Sequence, residues 1–443
     1  MYNTDKGVDI MQNVYREILP GVRLRVISTD KFKTSCFSAS FMLPLTFESA
    51  TMNALIPSVL KRGTKRYPDM TRLTSALDSL YGARVEPLVR KYGNVQASGV
   101  VCDLINSKCV TDGEKMLEET LHLALEVLLD PVISGDAFIK EYVESEKENL
   151  VDYLNGAINE KLSYAYGKSV EALFEGTGFG VNEDGDVTKI SEVTHKSLYE
   201  HYKKVYLHAP LEIFFCGDAS FEEIEACIKP ALLNLPREYD NFIVLDKPAE
   251  PKENEICTQF DVLQANLLIG LYTPCRAGST NQPAVQVLTT ILGGGTASKL
   301  FTHVREEKSL CYYVGAKYDK YLQTIFMYSG VDPQKVEEAR GEMLKQLIDC
   351  QEGKITDEEL QNAKRYIIDG FKTNGDSAVG LEAYWLSESV MGLSREVDFR
   401  IARIMAVDIE AVVDAANSLK NCMTYVLTGK ETPYARKGLP QNS

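Results

Sequence analysis

The chain has 443 residues, a formal net charge of −15 and 44% hydrophobic residues. This composition is typical of a globular protein, and the length predicts two to four domains. The acidic balance argues against nucleic acid as a partner, because non-specific binding to phosphates requires a surplus of Lys and Arg. No run of 18 or more apolar residues is present, so we expect no membrane-spanning helix and no membrane partner.

The compartment is inferred from the first residues and from the cysteines. The opening "MYNTDKGVDIMQNVYREI" lacks the basic start and apolar core of a secretory signal. Ten cysteines are scattered without any C-x-x-C pair, and several lie in apolar runs. This pattern is typical of reduced, buried thiols in a reducing compartment, so we expect a cytoplasmic, bacterial-type protein.

The first half of the chain alternates strands and helices. "GVRLRVIST" and "CFSASFMLPL" predict two strands. A short helix near 54–62 follows and contains a proline, Pro57. Two amphipathic segments, "MTRLTSALDSLYGA" and "EKMLEETLHLALEVLLDP", predict further helices. A long helical region begins near Asp136, and the strand "LEIFFCGD" ends this half.

Residues 234–259 are rich in Pro and charge and show little periodicity, which predicts an interdomain linker. It would separate an N-terminal half, 1–233, from a C-terminal half, 260–443. The order of patterns repeats after it. "ANLLIGLYTPC" stands where "CFSASFMLPL" stood, and "MTYVLTGKE" closes the second half as "IFFCGDA" closes the first. We therefore predict two related α/β halves that arose by duplication.

The sequence contains no recognisable metal or nucleophile motif. No two of its five histidines are three to five residues apart, so no H-x-x-x-H helix face exists. No G-x-S-x-G elbow is present. The stretch "LGGGTASKL" lacks the Lys-Ser/Thr of a P-loop and predicts a helix end followed by a tight turn.

The stretch "LFTHVREEKSLCYYVGAKYD" predicts a helix over 298–308 and a strand that begins near Cys311. Arg305 would lie in the last turn of the helix, and Tyr312 at the start of the strand. A turn between them can bring the guanidinium and the phenol to one site. The alternative is that both side chains pack at an ordinary surface.

This stretch resembles the second-half motif of the insulinase/pitrilysin-like zinc peptidases, in the subfamily that includes mitochondrial processing peptidase. Arg305, Glu306, Leu310 and Tyr312 match its R-E-x-x-x-L-x-Y pattern, and "LGGGTASKLF" is similar to its L-G-G-G-x-S-S-R-L-F. A weaker resemblance covers essentially the whole chain. It implies an α+β clam-shell of two related halves, each a mostly antiparallel sheet with helices packed on one side.

Active members of that family carry H-x-x-E-H on a first-half helix, before a turn that "LKRGTKRYP" resembles. The alignment places the two histidine ligands at Ala54 and Ser58, the general-base glutamate at Pro57 and the third ligand near Tyr153. These residues cannot bind zinc and activate water as the family's do. The resemblance therefore implies a degenerate site and no metal bound by this chain, although Glu146 matches the family's supporting acid.

In two-chain members of the family, one subunit holds zinc and the other faces it with the Arg and Tyr. This chain resembles the non-catalytic member of a paired bacterial set that lacks H-x-x-E-H. The resemblance implies a heterodimeric zinc metallopeptidase whose partner, a zinc-motif-bearing paralogous subunit, supplies the metal. Tyr312 would donate to the oxyanion, and Arg305 would hold the peptide substrate. The alternative is a catalytically inert structural or peptide-binding homologue.

Two segments depart from the family pattern. Active members bind peptide at a G-G-x-x-N-A strand edge in the zinc half, and here that place reads "YGARVEPLV". An insertion near residues 103–118 lengthens the first half. It is either an interaction loop or a surface excursion.

Overall fold

The computed structural model describes residues 11–235 and 245–429. Its strands are β1 Gln12–Leu19, β2 Val22–Ser28, β3 Thr34–Pro44, β4 Arg84–Tyr92, β5 Val95–Ile105, β6 Leu211–Gly217, β7 Asn254–Gln259, β8 Ala265–Tyr272, β9 Cys311–Asp319, β10 Thr324–Val331 and β11 Lys420–Thr428. Its α-helices are α1 Ala50–Leu60, α2 Met70–Ser79, α3 Gly113–Leu129, α4 Lys140–Gly156, α5 Lys161–Leu173, α6 Val187–Ile190, α7 His195–Lys204, α8 Phe221–Leu232, α9 Gln282–Gly293, α10 Val336–Gln351, α11 Asp357–Asn374, α12 Ala378–Val390, α13 Val397–Met405 and α14 Ile409–Asn417. A π-helix spans Leu300–Glu307.

The strands form two sheets with the same pattern of pairing. The first has the order β1-β2-β6-β3-β5-β4, and the second has the order β7-β11-β8-β10-β9. In the first, β2 and β6 are parallel; in the second, β7 and β11 are parallel. Every other pair is antiparallel. The order from β2 to β4 therefore repeats from β7 to β9, which confirms the predicted α+β fold of two related halves.

The described residues group into two compact units that are not continuous in sequence. Unit 1 contains residues 11–155, 181–235 and 374–392, and unit 2 contains residues 156–180, 246–373 and 393–429. The linear division at 234–259 stays a prediction. Residues 236–244 of that predicted linker lie outside the described residues, and its last six residues form β7, a strand that the sequence analysis did not predict.

The core of unit 1 lies between one face of its sheet and the helices α1, α3 and α8. Alternate residues of β3, which are Phe37, Ala39, Phe41 and Leu43, face this core because the side-chain period of a strand is two. The core of unit 2 is built in a similar way, with α9 and α10 against its sheet and α14 packed on these two helices.

The opposite face of each sheet is covered by a helix from the other half of the sequence. In unit 1, α12 packs on β3 and β6, and Leu381 and Trp385 join Ile27 and Phe214 in an apolar cluster. In unit 2, α5 packs on β8 and β11. Each sheet is therefore covered on both faces, not on one side as the family resemblance implied, because its apolar strands require cover on both.

A buried carboxylate fixes α12 to the first sheet. The side chain of Glu382 is 0% exposed. It accepts a hydrogen bond of 2.9 Å from Ser38 Oγ and one of 2.7 Å from Arg90 Nη1. Removal of one partner from such a pair leaves a buried charge without compensation, which is strongly destabilising.

We therefore expect Glu382→Ala to destabilise unit 1 by about 3–5 kcal/mol. Urea unfolding followed by fluorescence measures this directly, because the single tryptophan of the chain, Trp385, lies on the same helix. Asp376→Ala is the matched control, since Asp376 forms an exposed ion pair with Lys31 in the same segment. This control substitution should lower the free energy of unfolding by less than about 1 kcal/mol. Equal, small losses in both variants would show that the Glu382 contact does not hold α12.

Candidate functional site

The helix α1 carries Ala54, Pro57 and Ser58, the positions that the family resemblance aligns with zinc-site residues. It continues past its internal proline to Leu60. Pro57 has no N–H to donate to the carbonyl of Asn53, and a proline inside a helix costs about 3 kcal/mol. Ser98 Oγ from β5 donates to that carbonyl instead, at 2.7 Å. The acceptor that the proline leaves unpaired is thus satisfied by the sheet below it, which explains why the helix continues to Leu60.

The side chain of Asn53 connects α1 to a buried polar network. Its Nδ2 donates to Gln96 Oε1 at 2.9 Å, and its Oδ1 lies 2.7 Å from His201 Nε2. Because the Asn53 amide nitrogen already donates to Gln96, the Oδ1 accepts from a protonated Nε2. Burial lowers the pKa of His201 to about 4, so the ring is neutral near pH 7. His201 is therefore a structural donor here.

The residues at the four zinc-site positions do not fit a zinc ion. Ala54 and Pro57 are buried and carry no ligand atom. Tyr153 is 62% exposed and is hydrogen-bonded to Asp184, whose charge raises the pKa of the phenol. Ser58 offers only a neutral hydroxyl. Across residues 11–235 and 245–429, no three His, Cys, Asp or Glu side chains form a group that could hold a metal.

Glu146, at the position of the family's supporting acid, has a structural partner. It pairs with Arg62 Nε, and Arg62 Nη2 also donates to Ser145 Oγ at 2.9 Å. Both side chains of the pair are mostly buried, with 13% of Glu146 and 22% of Arg62 exposed. The acid therefore fixes the basic turn after α1 to the helix α4.

Arg305 lies in the π-helix Leu300–Glu307, which follows the glycine-rich turn where α9 ends. Its guanidinium lies 4.7 Å from the ring centroid of Phe301, and its Nε is 3.7 Å from a carboxylate oxygen of Glu306. The side chain is 41% exposed. π-Helices are rare, and those that occur are often found at functional sites. The backbone around Arg305 therefore indicates a functional site independently of the sequence motif.

Tyr312 is the extra residue of a β-bulge. In the pairing of β9 with β10, Tyr313 lies opposite Gly330 and Cys311 lies opposite Val331, so Tyr312 has no partner in the register. Its side chain is 69% exposed and forms no hydrogen bond with any residue in the described part of the chain. A bulge turns a side chain out of the regular pleat. The phenol is therefore presented to solvent at the start of an edge strand.

The turn that joins these two irregular elements is itself strained. Ser309, between the π-helix and β9, has a φ of +50°, in the left-handed region. Its N–H donates to the carbonyl of Arg305 at 3.0 Å, and the N–H of Leu310 donates to Val304 at 3.0 Å. Both predicted site residues thus flank one short turn, as the sequence analysis expected.

The equivalent place in unit 1 shares a left-handed residue in its turn, Tyr81 with a φ of +59°, but lacks the π-helix and the bulge. There the ordinary α-helix α2 leads through a turn to the edge strand β4, whose register with β5 shows no bulge. The exposed side chain of its turn, Tyr81, donates a hydrogen bond of 3.0 Å to Asp112. Pro87 lies within β4 and removes one backbone donor from that strand. The π-helix and the bulge are therefore not requirements of the shared fold.

Comparison with known proteins shows which family the chain resembles. Residues 192–367 match the model "Peptidase M16 inactive domain". Over these residues the chain is similar to the peptidase M16 family. It is 27% identical over 415 residues to the "Probable inactive metalloprotease YmfF" of Bacillus subtilis, an alignment that covers 93% of this chain and 96% of the relative.

Two solved structures have the same fold as this chain. A conserved protein from Enterococcus faecalis superposes with a TM-score of 0.85 at 26% identity and covers 94% of this chain and 98% of its own. A peptidase M16 inactive domain from Pseudomonas fluorescens superposes with a TM-score of 0.78 at 16% identity, with coverages of 95% and 99%. No described helix of the chain has the length and apolarity needed to span a membrane.

The buried His201 makes the stability of unit 1 dependent on pH. Its folded-state pKa of about 4 lies below the ordinary value of 6.5, so between these values the unfolded chain binds a proton that the folded chain excludes. The stability that this group contributes is complete above pH 6.5 and is lost as the pH falls toward 4.

We expect His201→Gln, which keeps a donor for Asn53, to flatten the fall in the urea midpoint between pH 6.5 and 4. His195→Gln, at the start of the same helix, serves as the control and should keep the wild-type profile. Identical profiles for His201→Gln and the wild type would contradict the assignment of a buried neutral imidazole.

Proposed function

We propose that this chain is the non-catalytic subunit of a heterodimeric zinc metallopeptidase. It presents Arg305 and Tyr312 in trans to a zinc site on a paralogous partner subunit. The observation that carries the proposal is the geometry of these two residues. A π-helix and a β-bulge flank one turn, and each of them carries one of the two partly exposed side chains. The equivalent turn of unit 1 is flanked by neither irregularity.

The chemistry assigned to the pair is that of binding, not of water activation. Tyr312 has an uncommitted hydroxyl that donates to the oxyanion formed on the scissile carbonyl. Donors of this kind typically account for a factor of about 10²–10³ in kcat. Arg305 keeps N–H groups available on a half-exposed guanidinium, and these bind carbonyl oxygens of an extended peptide.

The reaction must be completed by another chain. Peptide hydrolysis by this family's chemistry needs a metal-bound water and a carboxylate that accepts its proton. Alanine, proline and serine occupy the corresponding positions on α1, and the surrounding polar groups are engaged with one another. The partner therefore supplies both the zinc ion and the base.

An inert structural or peptide-binding homologue is the second candidate. The observation that favours it is the complete integration of α1 into the core of unit 1, through Asn53, Ser98 and the pair of Arg62 with Glu146. In that case Arg305 and Tyr312 would bind nothing during turnover, and their removal would leave hydrolysis by the complex unchanged.

We expect Tyr312→Phe to lower the kcat of the reconstituted complex at least about tenfold, with a smaller change in KM, because the donor acts in the transition state. Arg305→Ala should lower kcat/KM by a similar factor. The readout is steady-state peptide hydrolysis at saturating partner, and size-exclusion chromatography checks that each variant still assembles.

The chain offers matched controls in unit 1. Tyr81→Phe and Arg72→Ala alter an exposed tyrosine and an exposed arginine at the equivalent turn and helix, and both should leave hydrolysis unchanged. Wild-type turnover in both Tyr312→Phe and Arg305→Ala, with assembly intact, would refute the role in trans and favour the inert homologue.

A further inference from the structure

Unit 2 contains a polar pocket built from residues other than those of the Arg305 turn. It lies between the start of α9 and the helix α13, and we call it the Gln282 pocket. Its polar lining residues are Ser279, Gln282, Gln286, Arg395, Arg400 and Arg403. Three of these six side chains are arginines.

The side chain of Gln282 carries a buried donor without an acceptor. The residue is 2% exposed, and its Oε1 accepts a hydrogen bond of 2.6 Å from the backbone N–H of Gly278. That bond fixes the orientation of the amide, because the flipped form would place two donors against each other. The Nε2 is left buried with no partner among the described residues. Such a group requires an acceptor, since an unmade buried hydrogen bond is costly.

The arginines of the pocket cannot provide that acceptor, because a guanidinium only donates. Arg403 donates to the carbonyl of Thr280, and Arg395 Nη1 donates to the carbonyl of Gly278 at 3.2 Å. Arg403 forms no direct ion pair with any residue in the described part of the chain. The pocket therefore favours an oxygen atom that is an acceptor and carries negative charge.

The space around these donors limits the size of that group. Only about 10 Å³ of the Gln282 pocket is open to the centre of a water-sized group, which is room for one oxygen atom. A wider groove continues from it past Ser279, Pro283 and Arg403. In this groove, a volume of about 690 Å³ is open to the centre of a water-sized group. The walls of that groove are largely apolar and include Ala284, Val285, Val407, Ala411 and Ala415, and they also carry the charged side chains of Arg276 and Asp414.

We propose that the Gln282 pocket and this groove bind a small organic acid. One carboxylate oxygen accepts from Gln282 Nε2, the other faces the guanidinium of Arg403, and the apolar body of the ligand lies in the groove. A carboxylate fits better than a phosphate group, since the narrow end admits a single oxygen. The proposal is independent of the proposed peptidase role, because it uses none of the residues assigned to it.

The test is isothermal titration calorimetry on the purified full chain with three probes. The first is 4-phenylbutyrate, the second is its neutral amide, 4-phenylbutyramide, and the third is inorganic phosphate. We expect saturable binding of 4-phenylbutyrate and at least about tenfold weaker binding of the amide, because charge-assisted hydrogen bonds are the stronger ones. Equal affinities for acid and amide, or no saturable binding of the acid, would overturn the proposal. Inorganic phosphate that binds as tightly as the acid would overturn the assignment to a carboxylate.

Variants locate the site. Gln282→Glu keeps an acceptor for the Gly278 N–H but replaces the unpaired donor by a carboxylate, so 4-phenylbutyrate should bind at least about tenfold more weakly. Arg403→Gln should weaken it similarly. Arg365→Gln, on α11 and outside both cavities, is the control and should bind as the wild type does. Wild-type affinity in the first two variants would contradict the site, and should they fail to fold, the acid and amide comparison on the wild type decides alone.

Discussion

Both faces of each sheet have to be covered, and this constraint governs the rest of the structure. The strands at the centre of each sheet are buried on both sides, so a single layer of helices cannot complete the unit. The second layer comes from the other half of the sequence, as α12 in unit 1 and α5 in unit 2. Neither half of the sequence therefore contains the whole of its own unit. The helix α12 is held on its sheet by the buried hydrogen bonds of Glu382 with Ser38 and Arg90 as well as by apolar packing.

Because the two units share one scaffold, each serves as a reference for the other. Strain that the fold required would be present in both, whereas strain kept for function is local. The π-helix and the bulge at Tyr312 occur only in unit 2 at this place in the described chain, whereas the positive φ of Ser309 has a counterpart in unit 1, where Tyr81 has a φ of +59°. In unit 1 the helix α1 is part of a buried polar network, in which Asn53 bonds to His201 and Gln96.

The sequence predicted the strands β2, β3, β6, β8, β9 and β11, the repetition of their order and the turn between Arg305 and Tyr312, because these depend on local periodicity and on a short motif. It did not predict β1, β4, β5, β7 or β10. It did not predict the features that depend on contacts distant in sequence. The support of Asn53 by Ser98, the pairing of Arg62 with Glu146 and the exchange of α5 and α12 join residues tens to hundreds of positions apart. The bulge at Tyr312 was also missed, since it follows from the register with β10, which no pattern within β9 reveals. The positions Ala54, Pro57, Ser58 and Tyr153 came from the family resemblance alone, and the structure adds the contacts they make.

The measurement that tests the central claim most directly is peptide hydrolysis by three zinc-supplemented samples: this chain alone, a paralogue with the H-x-x-E-H motif alone, and the mixture. A shared active site predicts cleavage in the mixture only, because each chain holds one part of the machinery. Equal cleavage by the paralogue with and without this chain would contradict a role in trans. Cleavage by this chain alone would show that the positions on α1 have been assigned wrongly.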